Sequence, residues 1–280
     1  MAASVYFAPE CHRAYEDLGF DPSAGLFGGV EAPDSVAYFW SRGAALGEVP
    51  GETVAAAFGV FDPAVVVDAV SRARTIADRD VILAARLEGQ RAFLERVLGP
   101  AARQGVQRAT EVLQRLADAG TVAGRHLYAG LRSLGYPGDE LGDLWRAADL
   151  VREHRGDCHV LAWTATGLTG PEILLLTERW WGLPPRSYAL TRGWNGAAFD
   201  EAEASLTDAG HLDNGDLTAK GRELRRAIED ATDWQERRVA EALGADASEL
   251  FTLLAPMVGD IVTNGGYPAA AFMTESDLDR

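Results

Sequence analysis

Prolines, glycines and capping residues cut this chain into helical segments, and almost nothing in it alternates with the period of a strand. That punctuation restricts the fold more than any single motif does. Asp62-Pro63 places a capping residue before a proline at the first helical position. Val65, Val66, Ala69, Val70 and Ala73 then share one face of a helix expected over 64–76. Asp80 caps the next, 81–98, which Gly99-Pro100 stops. Further helices are expected over 101–118, ending at Gly120, and over 121–134, ending at Gly135 and Pro137. Upstream, Asp34 or Ser35 caps a short helix over 36–42, and Pro50-Gly51 opens another over 52–58. Residues 1–34 read as loop-rich around one helix near 11–18, because Pro9, Pro22, Gly25, Gly28, Gly29 and Pro33 interrupt regular structure. No strand pattern is visible in this half, so residues 1–137 are expected to form a helical domain.

The second half, 138–280, opens with a long helix over 139–165. Leu144, Ala147, Ala148, Val151, His154, Cys158 and Leu161 recur along it at helical spacing. Helices are expected over 171–181, near 184–190, over 197–209, over 219–240 and over 246–257, with a hairpin at 211–218 and an acidic tail that frays. The fold class is mainly α, with one small β element.

Composition narrows the function. The 280 residues suffice for one large domain or two ordinary ones, and 47 % hydrophobic content supplies a core. A net charge of −16 argues against nonspecific binding to nucleic acid or anionic membranes. No uncharged apolar run approaches the roughly 18 residues of a membrane span, and no signal-peptide pattern opens the chain. A soluble cytoplasmic protein without membrane contact is expected. Cys11 and Cys158 make neither a disulfide framework nor a zinc motif.

Residues 170–235 follow the order helix, short helix, helix, two-stranded hairpin, helix. Leu168-Thr-Gly-Pro-Glu-Ile-Leu-Leu-Leu, Leu206-Thr-Asp-Ala-Gly-His-Leu and Leu217-Thr-Ala-Lys-Gly-Arg-Glu-Leu carry that order, and the Leu-Thr-x-x-Gly-Arg block is the most specific. The segment resembles the MarR-like winged-helix superfamily, which implies a C-terminal winged-helix-like domain with a small β-wing. In that superfamily the third helix reads DNA and the wing offers a basic tip. Here residues 195–219 hold six acids (Asp200, Glu201, Glu203, Asp208, Asp213 and Asp216) and no Lys or Arg. A helix that enters a groove passes between phosphates and draws affinity from neutralising them. DNA is therefore not the expected partner, and the module is expected to serve as scaffold or dimerisation unit.

The whole chain is also similar to an actinobacterial family of helical proteins with a C-terminal winged helix. The shared features are Tyr6-Phe-Ala-Pro-Glu10, Tyr38-Phe with Arg42 to Leu46-Gly47, Phe58 to Phe61 before Pro63, Leu144-Trp145, Arg152-Glu-His-Arg-Gly-Asp-Cys-His159 and Thr191-Arg-Gly-Trp194. Members of this kind occur in natural-product gene clusters. The similarity extends to the azinomycin-type aziridine-forming proteins, which close a ring by expelling sulfate.

The chemistry-bearing stretch is Arg152-Glu-His-Arg-Gly-Asp-Cys-His159, in the middle of the long helix. At about 100° per residue, His154 falls in line with the apolar stripe and Asp157 about 60° to one side. Arg155 and His159 fall about 100° and 140° to the other side. A buried His beside a carboxylate suits general acid–base work, with the Asp fixing the tautomer. His154 and Asp157 are therefore the candidate catalytic residues. The alternative readings are a core histidine bonded to a backbone carbonyl and an Asp in a salt bridge with an Arg. His154 and His159 diverge too far for a helical zinc site, so no metal is expected.

Arg192-Gly-Trp194 offers a guanidinium fork for carboxylate, phosphate or sulfate beside an apolar wall, or else a turn with a packed Trp. Arg42 and Tyr38 could add a cation and a hydroxyl. Arg155, His159, Arg192, Trp194, Arg42 and Tyr38 are the candidate substrate-binding residues. No cofactor motif is present.

Three functions follow. One is an enzyme of natural-product biosynthesis, lyase- or cyclase-like, acting on a small molecule that a carrier protein could deliver. The others are a ligand-responsive MarR-like regulator and a noncatalytic binding or self-resistance protein. A homodimer is compatible with each.

Overall fold

A computed structural model describes residues 1–23 and 25–268. The acidic tail expected to fray lies outside the described residues. The architecture is mainly α, as the sequence implies. The first elements are α1 (Pro9–Glu16), the strands β1 (Leu26–Phe27) and β2 (Val30–Glu31), α2 (Ser35–Gly43), α3 (Gly51–Phe58) and α4 (Pro63–Ala73). Next come α5 (Arg79–Val97), α6 (Pro100–Gln104), α7 (Val106–Ala119), α8 (His126–Ser133) and α9 (Glu140–Thr164). The chain continues through α10 (Gly170–Trp181), α11 (Gly196–Asp208), β3 (Leu212–Asp213), β4 (Asp216–Leu217), α12 (Ala219–Leu243) and α13 (Ala247–Thr263). No helix among the described residues is long and apolar enough to cross a membrane.

Local chemistry explains where these elements differ from the sequence expectation. The single helix expected over 101–118 is two, α6 and α7, which meet at Gly105. The helix expected from 121 begins only at His126. The unforeseen hairpin β1–β2 turns at Gly28 (φ 55°) and Gly29 (φ 86°), the two left-handed positions of a tight hairpin turn. Instead of a helix near 184–190, a short 3₁₀ turn covers Ala189–Arg192. The last helix, expected over 246–257, runs to Thr263 with Pro256 inside it.

The described chain forms two compact units, each assembled from separated segments. The first unit takes residues 1–49, 69–154 and 237–268. In it α1 packs on α5 so closely that a Cβ at Gly89 would lie 2.6 Å from Cys11 Cα. Helix α8 approaches residues 44–46 just as closely, with a Cβ at Gly130 falling 2.5 Å from the Ala45 carbonyl oxygen. Ala45, Ala117, Tyr128, Leu131 and Leu150 form one apolar cluster of this unit.

The second unit takes residues 50–68 and 155–236. Its core joins Leu174, Leu175 and Leu176 of α10 to Phe199, Ala202 and Leu206 of α11 and to Leu212 and Leu217 of the second hairpin. That hairpin pairs Leu212 with Leu217 and turns at Asn214 and Gly215, both at positive φ. Thr169 and Glu172 close a capping box at the start of α10. Glu178, fully buried, accepts from the backbone N–H groups of Arg186, Tyr188 and Ala189, each at 2.7 Å. One carboxylate thus fixes the path of the chain between α10 and α11.

Candidate functional site

The densest polar chemistry lies buried in the first unit, where α2, α5 and α9 meet the first residues of the chain. Helix α2 contributes Tyr38 and Arg42, α5 contributes Arg86, and α9 contributes Arg146, Asp149, Arg152 and Glu153. Each position follows from helical spacing. Arg86 stands in line with the buried Ile82, Gly89, Gln90 and Phe93, so its guanidinium is carried into the core. Asp149 stands one turn from the buried Trp145 and one turn from Glu153.

The carboxylates are heavily used. Arg42 donates in bidentate fashion to Glu153, Nε to Oε1 and Nη2 to Oε2, both at 2.8 Å. Arg152 Nη2 donates to the same Oε1 at 2.6 Å, to Asp149 Oδ1 at 2.9 Å and to the Tyr6 hydroxyl at 2.9 Å. Arg86 Nη2 reaches Asp149 Oδ2 at 3.2 Å and the Tyr6 hydroxyl at 3.3 Å. The Tyr6 ring sits edge-on to Tyr38, with centroids 4.9 Å apart. Burial pushes the Glu153 carboxyl up, but Arg152 and Arg42 outweigh it and hold the group at about 2. Burial likewise raises the Tyr6 hydroxyl, against the pull of Arg152 and Arg86.

Four guanidiniums (Arg42, Arg86, Arg146 and Arg152) thus face two carboxylates, Asp149 and Glu153. Arg146 is the least compensated. Its Nη1 donates to the Gly135 carbonyl at 2.7 Å. Burial lowers its affinity for the proton, Asp149 opposes that and Arg86 adds to it, with a net shift downward.

Of the sequence candidates, Arg42 and Tyr38 belong to this cluster, with Arg42 Nη1 3.4 Å from the Tyr38 hydroxyl. His154 is in the same unit and is 2 % exposed. Its Nε2 accepts from the Thr121 backbone N–H at 3.0 Å, and its ring stands edge-on to Tyr128 at 4.8 Å. That lone pair is committed to the backbone. The partner is an amide N–H rather than a carbonyl.

The remaining candidates lie in the second unit. Asp157 is buried, at 3 % exposure. Arg155 bridges Glu229 at 3.1 Å and Asp233 at 3.2 Å. His159 Nδ1 lies 3.3 Å from the Thr232 hydroxyl, and Glu229 Oε1 accepts from the buried Arg225 at 2.5 Å. Burial and the charge of Arg225 bring the His159 imidazole down to about 4, with Glu229 opposing, so it is neutral at pH 7. Arg192 stacks over Tyr188 at 4.1 Å and Phe61 at 5.1 Å. Trp194 donates from Nε1 to the Val60 carbonyl at 2.8 Å and packs on Gly170. Arg155 thus pairs with Glu229, whose Oε1 lies 4.0 Å from His159 Nδ1, and Arg192 and Trp194 contact Phe61 and Val60.

Sequence reasoning gave no site role to Tyr6, Arg86, Arg146, Asp149, Arg152 or Glu153, although Tyr6, Arg152 and Glu153 lie in the quoted motifs. One signal was available: Arg86 falls on the same helical face of α5 as Ile82, Gly89 and Phe93, where an unpaired charge would cost several kcal/mol.

Helix α11 occupies the position whose charge the sequence raised. Asp200, Glu201 and Asp208 are exposed on it, as are Asp213 and Asp216 on the following hairpin. Arg186 pairs with Asp200 at 2.6 Å and with Glu203 at 3.2 Å. A model of a helix-turn-helix family matches residues 1–268. No curated protein and no solved structure matches the chain. With the family match spanning nearly the whole sequence, the chain belongs to that helix-turn-helix family.

Proposed function

We propose that this chain uses a winged-helix-like, MarR-like unit as scaffold and acts on a small molecule, closing a strained nitrogen ring with loss of sulfate. The observation that carries the first part is the exposed acidic face of α11 and its hairpin, which phosphates would repel. The second part rests on the resemblance to the azinomycin-type aziridine-forming proteins, and the buried guanidinium excess of the first unit supports it. In the reaction an amine nitrogen attacks the neighbouring carbon, the C–O bond to sulfate breaks, and the amine gives up a proton. Arginines stabilise the charge that develops on the leaving sulfate. His154 or Asp157, the two sequence candidates on α9, takes the proton. His154 does so at Nε2 only by giving up the Thr121 N–H. No organic cofactor or metal is invoked.

The test supplies a β-amino alkyl sulfate ester and measures released inorganic sulfate. Wild-type protein should release it catalytically. His154→Ala or Asp157→Asn should reduce the rate by at least about 100-fold, the scale of one general acid–base group, while the circular dichroism spectrum stays unchanged. Full activity in both folded variants would remove the two residues from the mechanism.

A second reading, a ligand-responsive regulator, is favoured by membership of the helix-turn-helix family itself. Lys220, Arg222 and Arg226 are exposed at the start of α12 and would be its phosphate contacts. It requires DNA binding that weakens steeply with salt.

A further inference from the structure

The Arg86 Nη1 and Arg146 Nε atoms are buried and have no hydrogen-bond partner. Both residues line one cavity of the first unit, together with Ser41, Arg42, Trp145 and Asp149 among others. Both guanidiniums lie against Trp145, with Cζ 5.2 Å and 5.9 Å from the indole centroid. Orphaned buried donors are rare in native proteins and call for an acceptor. The two carboxylates that line the cavity, Asp149 and Glu153, are already engaged. Glu153 takes Arg42 on both oxygens and Arg152 on one, and Asp149 takes Arg152 on one oxygen and Arg86 on the other.

We propose that this cavity is an oxyanion subsite, in which Arg86 Nη1 and Arg146 Nε donate to one oxygen of a sulfate, phosphate or carboxylate group on a small molecule. Three observations carry it. The donors are unpartnered. Four guanidiniums face two carboxylates, so the buried cluster is short of negative charge. The cavity measures about 10 Å³, room for about one water-sized group, which suits a single terminal oxygen. Its half-buried members Arg42 and Leu83 mark where the rest of an oxyanion would meet solvent. A neutral ligand would leave the excess charge in place, and a cation would add to it.

The subsite builds on the small-molecule reading by naming the group that the molecule presents. Binding needs no turnover, so a chain that binds sulfate and closes no ring would refute the enzymatic reading alone. The probe is sodium sulfate, compared with sodium chloride at matched ionic strength, read as thermal stability of the full chain. Sulfate also stabilises proteins by exclusion from their surfaces, so the wild type is compared with Arg146→Met, which removes an orphan donor and leaves Asp149 and Glu153 with their partners. The expected result is a saturable sulfate-specific rise of several degrees in the wild type, with the apparent affinity at least tenfold weaker in Arg146→Met. An identical sulfate response in the two proteins would overturn the proposal. A selenate soak of wild-type crystals gives a check independent of folding in the variant. Anomalous density beside Arg86 and Arg146 is expected, and its absence would overturn the site.

Discussion

Glu153→Gln should destabilise the chain by about 3–5 kcal/mol, the cost of stripping one partner from a buried ion network. The carboxylate takes three charge-assisted hydrogen bonds from Arg42 and Arg152. A glutamine keeps one acceptor and turns its NH₂ toward guanidiniums that can only donate. The residue is 3 % exposed, so water cannot replace the lost charge. Acid should show the same interaction. The folded-state carboxyl is held at about 2, below the ordinary 4.5. A depressed folded value contributes stability that is complete above 4.5 and is lost as the pH falls towards 2. Urea unfolding across that window should show the wild type losing stability with a steeper slope than Glu153→Gln, and the gap between them closing. Parallel slopes would show that Glu153 does not titrate against these arginines.

Glu178→Ala should cost at least about 3 kcal/mol, because each buried donor left without an acceptor costs about 1–3 kcal/mol. Three backbone N–H groups, those of Arg186, Tyr188 and Ala189, converge on this one side chain. Arg186 sits at φ 60°, a left-handed conformation that a non-glycine residue holds only when its surroundings fix it. Removing the carboxylate should free the path from Leu183 to Trp194. Limited proteolysis should then cut that stretch under conditions in which the wild type resists, before global unfolding. Because Arg192 and Trp194 lie at its end, their contacts with Tyr188, Phe61 and Val60 should loosen together. A proteolysis pattern equal to that of the wild type would assign the anchoring of this segment to its apolar contacts instead.

These two carboxylates show what was legible in the sequence and what was not. Helix existence was readable because proline, glycine and capping residues act locally, as at Asp62-Pro63 and in the long helix around His154. The break at Gly105 and the hairpin at Gly28-Gly29 were local as well, but short elements leave too few residues for a period to declare itself. Arg42 and Tyr38 were singled out for their chemistry and belong to the buried cluster. Their partners were invisible because Glu153 lies 111 positions from Arg42. Sequence alone cannot say which of 42 acids meets which of 26 bases. Glu178 was missed for a different reason: its partners are backbone N–H groups, which every residue except proline carries.

The acid-rich stretch 195–219 was read correctly as a charge pattern, and the structure adds that most of those acids are exposed on α11 and its hairpin. Membership of a helix-turn-helix family makes that pattern the sharpest question about the chain. The most direct test is selection of binding sites by the full chain from random-sequence duplex DNA, carried out at about 50 mM salt, where phosphate contacts are strongest. The expected result is no enriched sequence and no retention above a DNA-free control. An enriched sequence whose affinity falls steeply between about 50 and 200 mM salt would contradict the scaffold role and make the chain a regulator.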